Sequence, residues 1–391
     1  MMALPSLVLA VAVGLCVYTY VGYPAVLKLA SLMRRRARSR EPRSDWPRIS
    51  IQVPVFNEAD VIAGTLERIL ALDYPADRRQ ILVVSDASTD DTDAIVSRFA
   101  DRGVELLRQA RRQGKTAAEN AARPRLKGQI VINTDASVHI HPSAVKHLVA
   151  ALRDPSVGVA SACDVSVARL DALANAGEGT YVGYEMWVRD VETAVGGIVG
   201  ASGCLYAIRA DLHMHPVPDA LSRDFSAALT AREHGRRAVS VPEALCFVPR
   251  AASLPQEYRR KVRTITRGLA TLAHKRALLN PLRYGSFAWR LFSHKVCRWL
   301  VPWALVAALG ALGALAVTVP WARAVLAGAF ALGALAGIAW VRAGWGTALP
   351  RWLALPAYLA AGNVAVLHAW VQFLAGRSAP VWEPTRRGAL T

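Results

Sequence analysis

Four separated landmarks in this chain are of residue types that do chemistry: Asp86 in VVSDASTDDT, Asp135 in VINTDAS, Asp224 in SRDF, and the pair Arg263 and Arg267 in KVRTITRG. Asp86 and Asp135 stand just past short β-branched runs, where an open α/β sheet holds its ligands. A carboxylate there can hold a hard divalent ion that bridges phosphates, because phosphate and water fill the remaining positions. Another carboxylate can take a proton from a hydroxyl. Guanidinium groups bind phosphate oxygens bidentately. The set suits a cation-assisted displacement with an anionic leaving group.

Each landmark also has a plainer reading. In PVFNE, Pro54, Asn57 and Glu58 suit a turn from strand to helix, in a position that also makes a nucleotide-contact loop. In SDASTDDT, Thr89 and Asp90 read as a helix start that Asp93 completes, while Asp86 precedes the cap and needs another role. Gly114-Lys115-Thr116 has the end of a P-loop, but Gln109 stands where the Walker pattern requires its first glycine. Lys115 still offers a nucleotide a cation. Ser137 takes the place of a second acid after Asp135. His139 and His141 lack the partners of a zinc site and read as loop residues. Asp224 reads as a charge at a helix N-terminus or as a general base, with Asp219 its rival.

The elements that must position these residues alternate. Strands are expected at 49–55, 81–84, 104–107, 130–132, 157–162 and 205–208. Helices are expected from 61 to 70, 90 to 99, 114 to 122, 144 to 152 and 227 to 234. Such alternation predicts a mainly parallel sheet covered on both faces. From 256 to 275 an apolar stripe of Tyr258, Val262, Ile265, Leu269 and Leu272 recurs at helical spacing among Arg259, Arg260, Lys261, Arg263, Arg267 and Lys275. That pattern predicts an amphipathic helix in a membrane interface. The run from Trp289 to Trp299 reads as a second one.

The sheet region is flanked by apolar runs of near-spanning length, at 4–32, 300–319, 325–340 and 352–373. The first lacks a basic leader and reads as an anchor. RRRARSR follows it, so the positive-inside rule places Arg34 to Arg40, and the sheet domain, in the cytoplasm. Tyr18, Tyr20 and Tyr23 are expected near an interface. His294, Lys295 and Arg298 again mark the cytoplasmic side. Strict alternation then puts the tail outside, against the charge of Arg377, Arg386 and Arg387; a re-entrant or interfacial run would relieve the conflict. The expected segments are an anchor at 1–33, a basic linker at 34–48, the α/β domain at 49–250, interfacial helices at 251–298, spans at 299–375 and a tail at 376–391. The net charge of +18 favours anionic partners, and the membrane-length runs disfavour nucleic acid. The five scattered cysteines have no zinc or CxxC spacing.

Together these residues resemble the membrane-anchored family 2 glycosyltransferases of GT-A fold, a Rossmann-like α/β architecture, whose relatives make cellulose, hyaluronan and exopolysaccharide. The resemblance covers 49 to 267 and the flanking membrane layout. It implies a multi-pass cell-membrane enzyme with a cytoplasmic catalytic domain that transfers a hexose with inversion from a nucleotide-sugar, taken as a UDP-sugar. The acceptor would be lipid-linked or a polysaccharide, in exopolysaccharide or cell-envelope glycan synthesis. Membrane lipids, and polysaccharide-export proteins, are the further partners it implies. It makes Pro54, Asn57, Glu58, Asp86, Lys115 and Asp135 nucleotide-binding residues, with Asp86 on the base. It makes Asp135 the ligand of Mg²⁺ or Mn²⁺, Ser202, Gly203 and Cys204 in ASGCLYAIR the acceptor loop, Asp224 the base, and Arg263 and Arg267 the diphosphate contacts. KVRTITRG lacks both the Gln and the Trp of the family's Gln-x-x-Arg-Trp, and processive synthesis is not supported. The alternatives are a polyprenyl-phosphate sugar transferase, an ATP-driven membrane protein, and an inactive polysaccharide-binding homologue.

Overall fold

The computed structural model describes residues 2–33, 45–167, 176–249, 254–344 and 351–377. Arg34 to Arg40, Arg386 and Arg387 lie outside the described residues.

Eight strands form one sheet in the order β3-β2-β1-β4-β7-β6-β8-β5. They are β1 (Ile49–Val55), β2 (Arg79–Ser85), β3 (Val104–Arg108), β4 (Ile130–Thr134), β5 (His139–Ile140), β6 (Val157–Val167), β7 (Leu205–Arg209) and β8 (Arg237–Pro249). The first half is parallel: β1 pairs with β2 and β4, and β2 with β3. β7 then inserts antiparallel between β4 and β6, and β8 pairs parallel with β6. β5 and β8 were not expected from the sequence, and the sheet is therefore mixed as well as mostly parallel. Residues of β1, β2 and β4 are buried almost throughout, as strands covered on both faces must be.

Pro54 sits inside β1 rather than in a turn. Its pairing with β4 ends at Gln52, so a residue without an N–H is tolerated beyond that point. The turn falls at Asn57, whose φ of 51° is left-handed. At the other end of the sheet, Gly128 lies so close to β1 that a β-carbon on it would be 2.4 Å from the Ile49 carbonyl carbon. Its N–H donates to Ser50 Oγ at 2.8 Å.

The helix expected over 90–99 is shorter, Thr92–Ser97. Asp90 accepts from the amides of Thr92 (3.0 Å) and Ala59 (3.1 Å), joining the starts of two helices. Asp93 pairs with Arg108 instead of completing a cap.

A helix absent from the sequence expectations, Ala176–Val195, runs beside the N-terminal helix. Its Glu185 and Glu192 are buried around His294, whose Nδ1 lies 2.7 Å from Glu192 and Nε2 3.0 Å from Glu185. Tyr23 donates to Glu192, and Arg298 pairs with Glu185. Burial alone would raise the Glu185 pKa, but Arg298 and His294 hold it well below the usual range. Tyr18 also joins this network through Ser293 (2.7 Å) and Trp289 (3.0 Å). The N-terminal tyrosines thus dock the anchor on protein.

Among the described residues, four helices are long and apolar enough to cross a membrane: Ala3–Leu32, Ser286–Ala316, Pro320–Ala343 and Pro356–Leu374. The Trp289–Trp299 run is not a separate interfacial helix. It opens the Ser286–Ala316 helix through a π-helical turn at Phe292–Cys297. The expected boundary at 298/299 therefore falls inside one continuous helix. The amphipathic helix is Leu254–His274.

Candidate active site

The site gathers at the carboxyl ends of β1, β2 and β4 and against β7, where the polarity of the strands changes. Asp86 follows β2 and is 1% exposed. Its carboxylate accepts the amides of Gln113 (2.8 Å) and Gly114 (2.7 Å). Gly114 has a φ of 98° and starts the Lys115–Ala122 helix. The turn that a P-loop would wrap around phosphate is here closed on a side-chain carboxylate. Asp86 therefore shapes the loop that presents Lys115, from behind it.

Asn57 and Thr89 tie the first two loops together, with the Thr89 amide donating to Asn57 Oδ1 at 2.8 Å. Glu58 donates its amide to Thr92 Oγ1 at 2.8 Å. Pro54, Asn57, Glu58 and Asp86 lie beside the main cavity and do not line it.

That cavity has a volume of about 490 Å³. Lys115, Asp135, Ser202, Gly203, Cys204, Asp224, Arg263 and Arg267 all line it, so the structure brings these sequence candidates together. Lys115 Nζ pairs with Asp135 Oδ1 and reaches the Gly203 carbonyl at 3.3 Å. Burial opposes the lysine charge, yet Asp135, Glu119 and Asp224 together hold its pKa above the ordinary amine value.

Asp224 lies in the first turn of the Arg223–Glu233 helix and accepts from Ser222 Oγ at 2.5 Å. Its rival Asp219 is exposed, is held by Asn120 Nδ2 at 3.1 Å, and does not line the cavity. Ser202 is 2% exposed and donates to the Asp164 carboxylate at 2.7 Å, while its Oγ accepts the Cys204 amide at 3.0 Å. Its hydroxyl shapes the 202–204 turn, and Gly203 is the member of that turn beside Asp224.

Arg267 is mostly a tie between helix and domain. Its guanidinium donates to Thr116 Oγ1 (2.6 Å) and to the carbonyls of Leu221 (2.5 Å) and Asp219 (3.2 Å). Burial lowers its pKa. Arg263 lies one turn earlier on the same helix and is half-buried at the cavity.

Glu119 was missed in the sequence. It is 1% exposed, lines the cavity, and lies 3.7 Å from Arg223 Nε. Burial raises its pKa despite Lys115 and Arg223. The available signal was its spacing: four residues after Lys115 on one helix, it must share that lysine's face.

Among the described residues no group of three or more His, Cys, Asp or Glu side chains could hold a metal ion. Asp135 nevertheless fits a phosphate-bridging cation. Its side chain is 19% exposed at the cavity and only Oδ1 engages the lysine, so it can supply the one or two protein ligands that such an ion needs.

Membrane-side elements also line it: Tyr20 of the anchor, Lys295 and Trp299 of the Ser286–Ala316 helix, and Leu359 and Val366 of the last helix. One cavity thus runs from the carboxylates to the apolar helices.

A mixed sheet with this order, carrying acidic residues beyond β2 and β4, is the GT-A fold of sugar-nucleotide transferases. Residues 50–174 match the model of glycosyl transferase family 2. The solved mannosyltransferase PcManGT from Pyrobaculum calidifontis, in complex with GDP-Man and Mn²⁺, superposes with a TM-score of 0.72 at 25% identity, covering 95% of this chain and 100% of that one. The beta-monoglucosyldiacylglycerol synthase of Nostoc sp. is 27% identical over 169 residues, which are 42% of this chain and 36% of that relative. The probable glycosyltransferase YdaM of Bacillus subtilis is 32% identical over 119 residues, 29% of this chain and 28% of its own length. The chain thus matches about a third of the length of these curated relatives.

Proposed function

We propose that the protein transfers a hexose from a nucleoside-diphosphate sugar to an acceptor held in the membrane. The carrying observation is the continuous cavity, with Asp135, Lys115 and Asp224 at one end and Tyr20, Leu359 and Val366 at the other. A lipid-borne hydroxyl reaches Asp224 from the apolar end without leaving the bilayer. The glycolipid synthase among the relatives supports a lipid acceptor over a free polysaccharide.

The donor diphosphate lies between Asp135, Lys115 and Arg263. Asp86 acts on the nucleotide indirectly, by fixing the Gln113–Gly114 turn. A divalent cation at Asp135, Mg²⁺ or Mn²⁺, would neutralise charge on the diphosphate as a Lewis acid. Asp224 takes the proton of the acceptor hydroxyl. The hydroxyl oxygen then bonds to the anomeric carbon as the bond to the diphosphate oxygen breaks, and the configuration inverts. Lys115 and Arg263 stabilise the departing charge. Ser222, donating to Asp224, fixes the carboxylate's orientation. The sheet domain and its nucleotide supply lie on the cytoplasmic side of the cell membrane.

The resemblance points to uridine as the base, whereas the mannosyltransferase neighbour holds a guanosine nucleotide, so both are tested. Purified protein in lipid bilayers is given radiolabelled UDP- and GDP-sugars with a total lipid extract, with and without EDTA. Label entering the organic phase, lost with EDTA, is the expected result. Label remaining wholly in the donor, with neither nucleotide bound by calorimetry, would sink the reading.

A further inference from the structure

The last apolar helix is long enough to cross a bilayer. We propose that it does not cross. It lies along the membrane surface on the catalytic domain's side, next to the amphipathic Leu254–His274 helix, with lipid as its partner. The chain then crosses three times, and the tail returns to the side of the catalytic domain.

Levels along the helix carry the argument. Trp299 marks the domain-side end of the Ser286–Ala316 helix: its ring packs 6.3 Å from Phe225 of the catalytic domain and meets Gly268 of the amphipathic helix. Trp370 Nε1 of the last helix donates to the Trp299 carbonyl at 3.0 Å. Earlier in the same helix, Tyr358 carries Lys261 Nζ 3.6 Å above its ring, and Leu353 and Ala357 pack with Leu254. From 358 to 370 the axis advances about 18 Å at about 1.5 Å per residue. A crossing helix would carry one of those points deep into the bilayer. Tyr358 instead touches the helix that is tied to the catalytic domain through Arg267 and Thr116, and Ala369, next to Trp370, accepts from Thr266 of that same helix. Beyond Trp370, Phe373 and Arg377 line a hollow shared with Ala220 of that domain.

The partner helix fixes the inclination. The last helix follows it in parallel: Leu254 meets Ala357, Lys261 lies 3.1 Å from a β-carbon built on Gly362, and Thr266 Oγ1 donates to the Ala369 carbonyl at 3.4 Å. The Leu254–His274 helix carries Arg259, Arg260, Lys261, Arg263 and Arg267, too many cations to cross hydrocarbon. A helix laid along it for most of its length shares its place in the interface.

The faces agree. Ala357, Ala365 and Ala369 are buried against protein at 2%, 0% and 0%, whereas Val364, Val371 and Leu374 are 54–72% exposed. An apolar outer stripe, continuous with the crossing helices, suits the acyl boundary of one leaflet. The placement also eases the charge conflict in the sequence, since Arg377 then lies on the catalytic domain's side, as the positive-inside rule expects.

The test uses the full chain in sealed membrane vesicles of both orientations. One epitope is placed in the exposed turn at Asp101 and Arg102, and another after Thr391. The expected result is that external protease removes both tags in one vesicle orientation and neither in the other. Removal of one tag with protection of the other, in either orientation, overturns the proposal. Spin labels at single cysteines replacing Val364 and Val371 provide a second reading: similar shallow depths are expected, and a depth difference approaching half the bilayer overturns it.

Discussion

Gly203 and Asp224 are in contact across the cavity: a β-carbon built on the glycine would stand 3.0 Å from Asp224 Oδ2. The acceptor-side turn and the proposed base therefore share one boundary with no room for a methyl group. Gly203→Ala should displace the carboxylate by a few tenths of an ångström. Transfer should fall about tenfold, since small misplacements of reacting groups are costly. The loss should appear in kcat, with nucleotide affinity unchanged by calorimetry. An unaltered kcat would mean that Asp224 does not act from this position.

Asp224→Asn keeps the shape and removes the proposed base. Transfer should drop about 10²–10⁴-fold. Donor nucleotide should still bind within about twofold of the parent Kd, because Lys115 and Asp135 are untouched. Steady-state rates and calorimetry on the same preparation separate the two effects. Turnover near the parental rate would remove Asp224 from the base role.

Asp135→Asn removes the carboxylate that pairs with Lys115 and that, in the proposed mechanism, faces the diphosphate. Loss of a developing-charge stabiliser is expected to cost about 10²–10³-fold in rate. Added Mn²⁺ should no longer tighten nucleotide binding, whereas it should do so in the parent. Metal-dependent tightening retained in the variant would place the cation elsewhere.

Glu119 supplies a pH signature. Burial raises its folded pKa above the unfolded value, so the folded state holds that proton more tightly. Its favourable contribution is therefore complete below the unfolded carboxylate pKa and is lost as pH rises through the folded one. Relative to Glu119→Gln, the parent should lose thermal stability across that window and change little above it. Melting curves in detergent at a series of pH values measure the difference, and a constant difference would show that the carboxyl does not titrate there.

Gly128→Ala tests the fold rather than the chemistry. Its β-carbon would overlap the backbone of Ile49 and Ser50 at 2.4 Å, and backbone cannot step aside as a side chain can. The variant should be destabilised by more than about 4 kcal/mol and recovered poorly from membranes. Normal yield and melting temperature would mean that the β1–β4 edge is looser than its geometry implies.

The sequence by itself determined the periodic parts. β1, β2 and β4 were legible because strands buried on both faces must be short β-branched runs, and the four long apolar segments were legible because hydrocarbon tolerates little else. Asp135 and Asp224 could be named because each stands at the end of an element, where a side chain is presented rather than packed. Tertiary structure alone decided the rest. Asp86 was named as a nucleotide-contact residue, and only the packed chain shows its carboxylate accepting two amides from a loop 27 and 28 residues away. Glu119 looked like an ordinary helix residue until Arg223 was brought beside it from 104 positions along the chain. The Ala176–Val195 helix hid its role because its glutamates find partners far along the chain, in Tyr23, His294 and Arg298. Local sequence encodes which faces are apolar; it does not encode which distant charge arrives to make a buried one tolerable, and that arrival is a property of the packed chain.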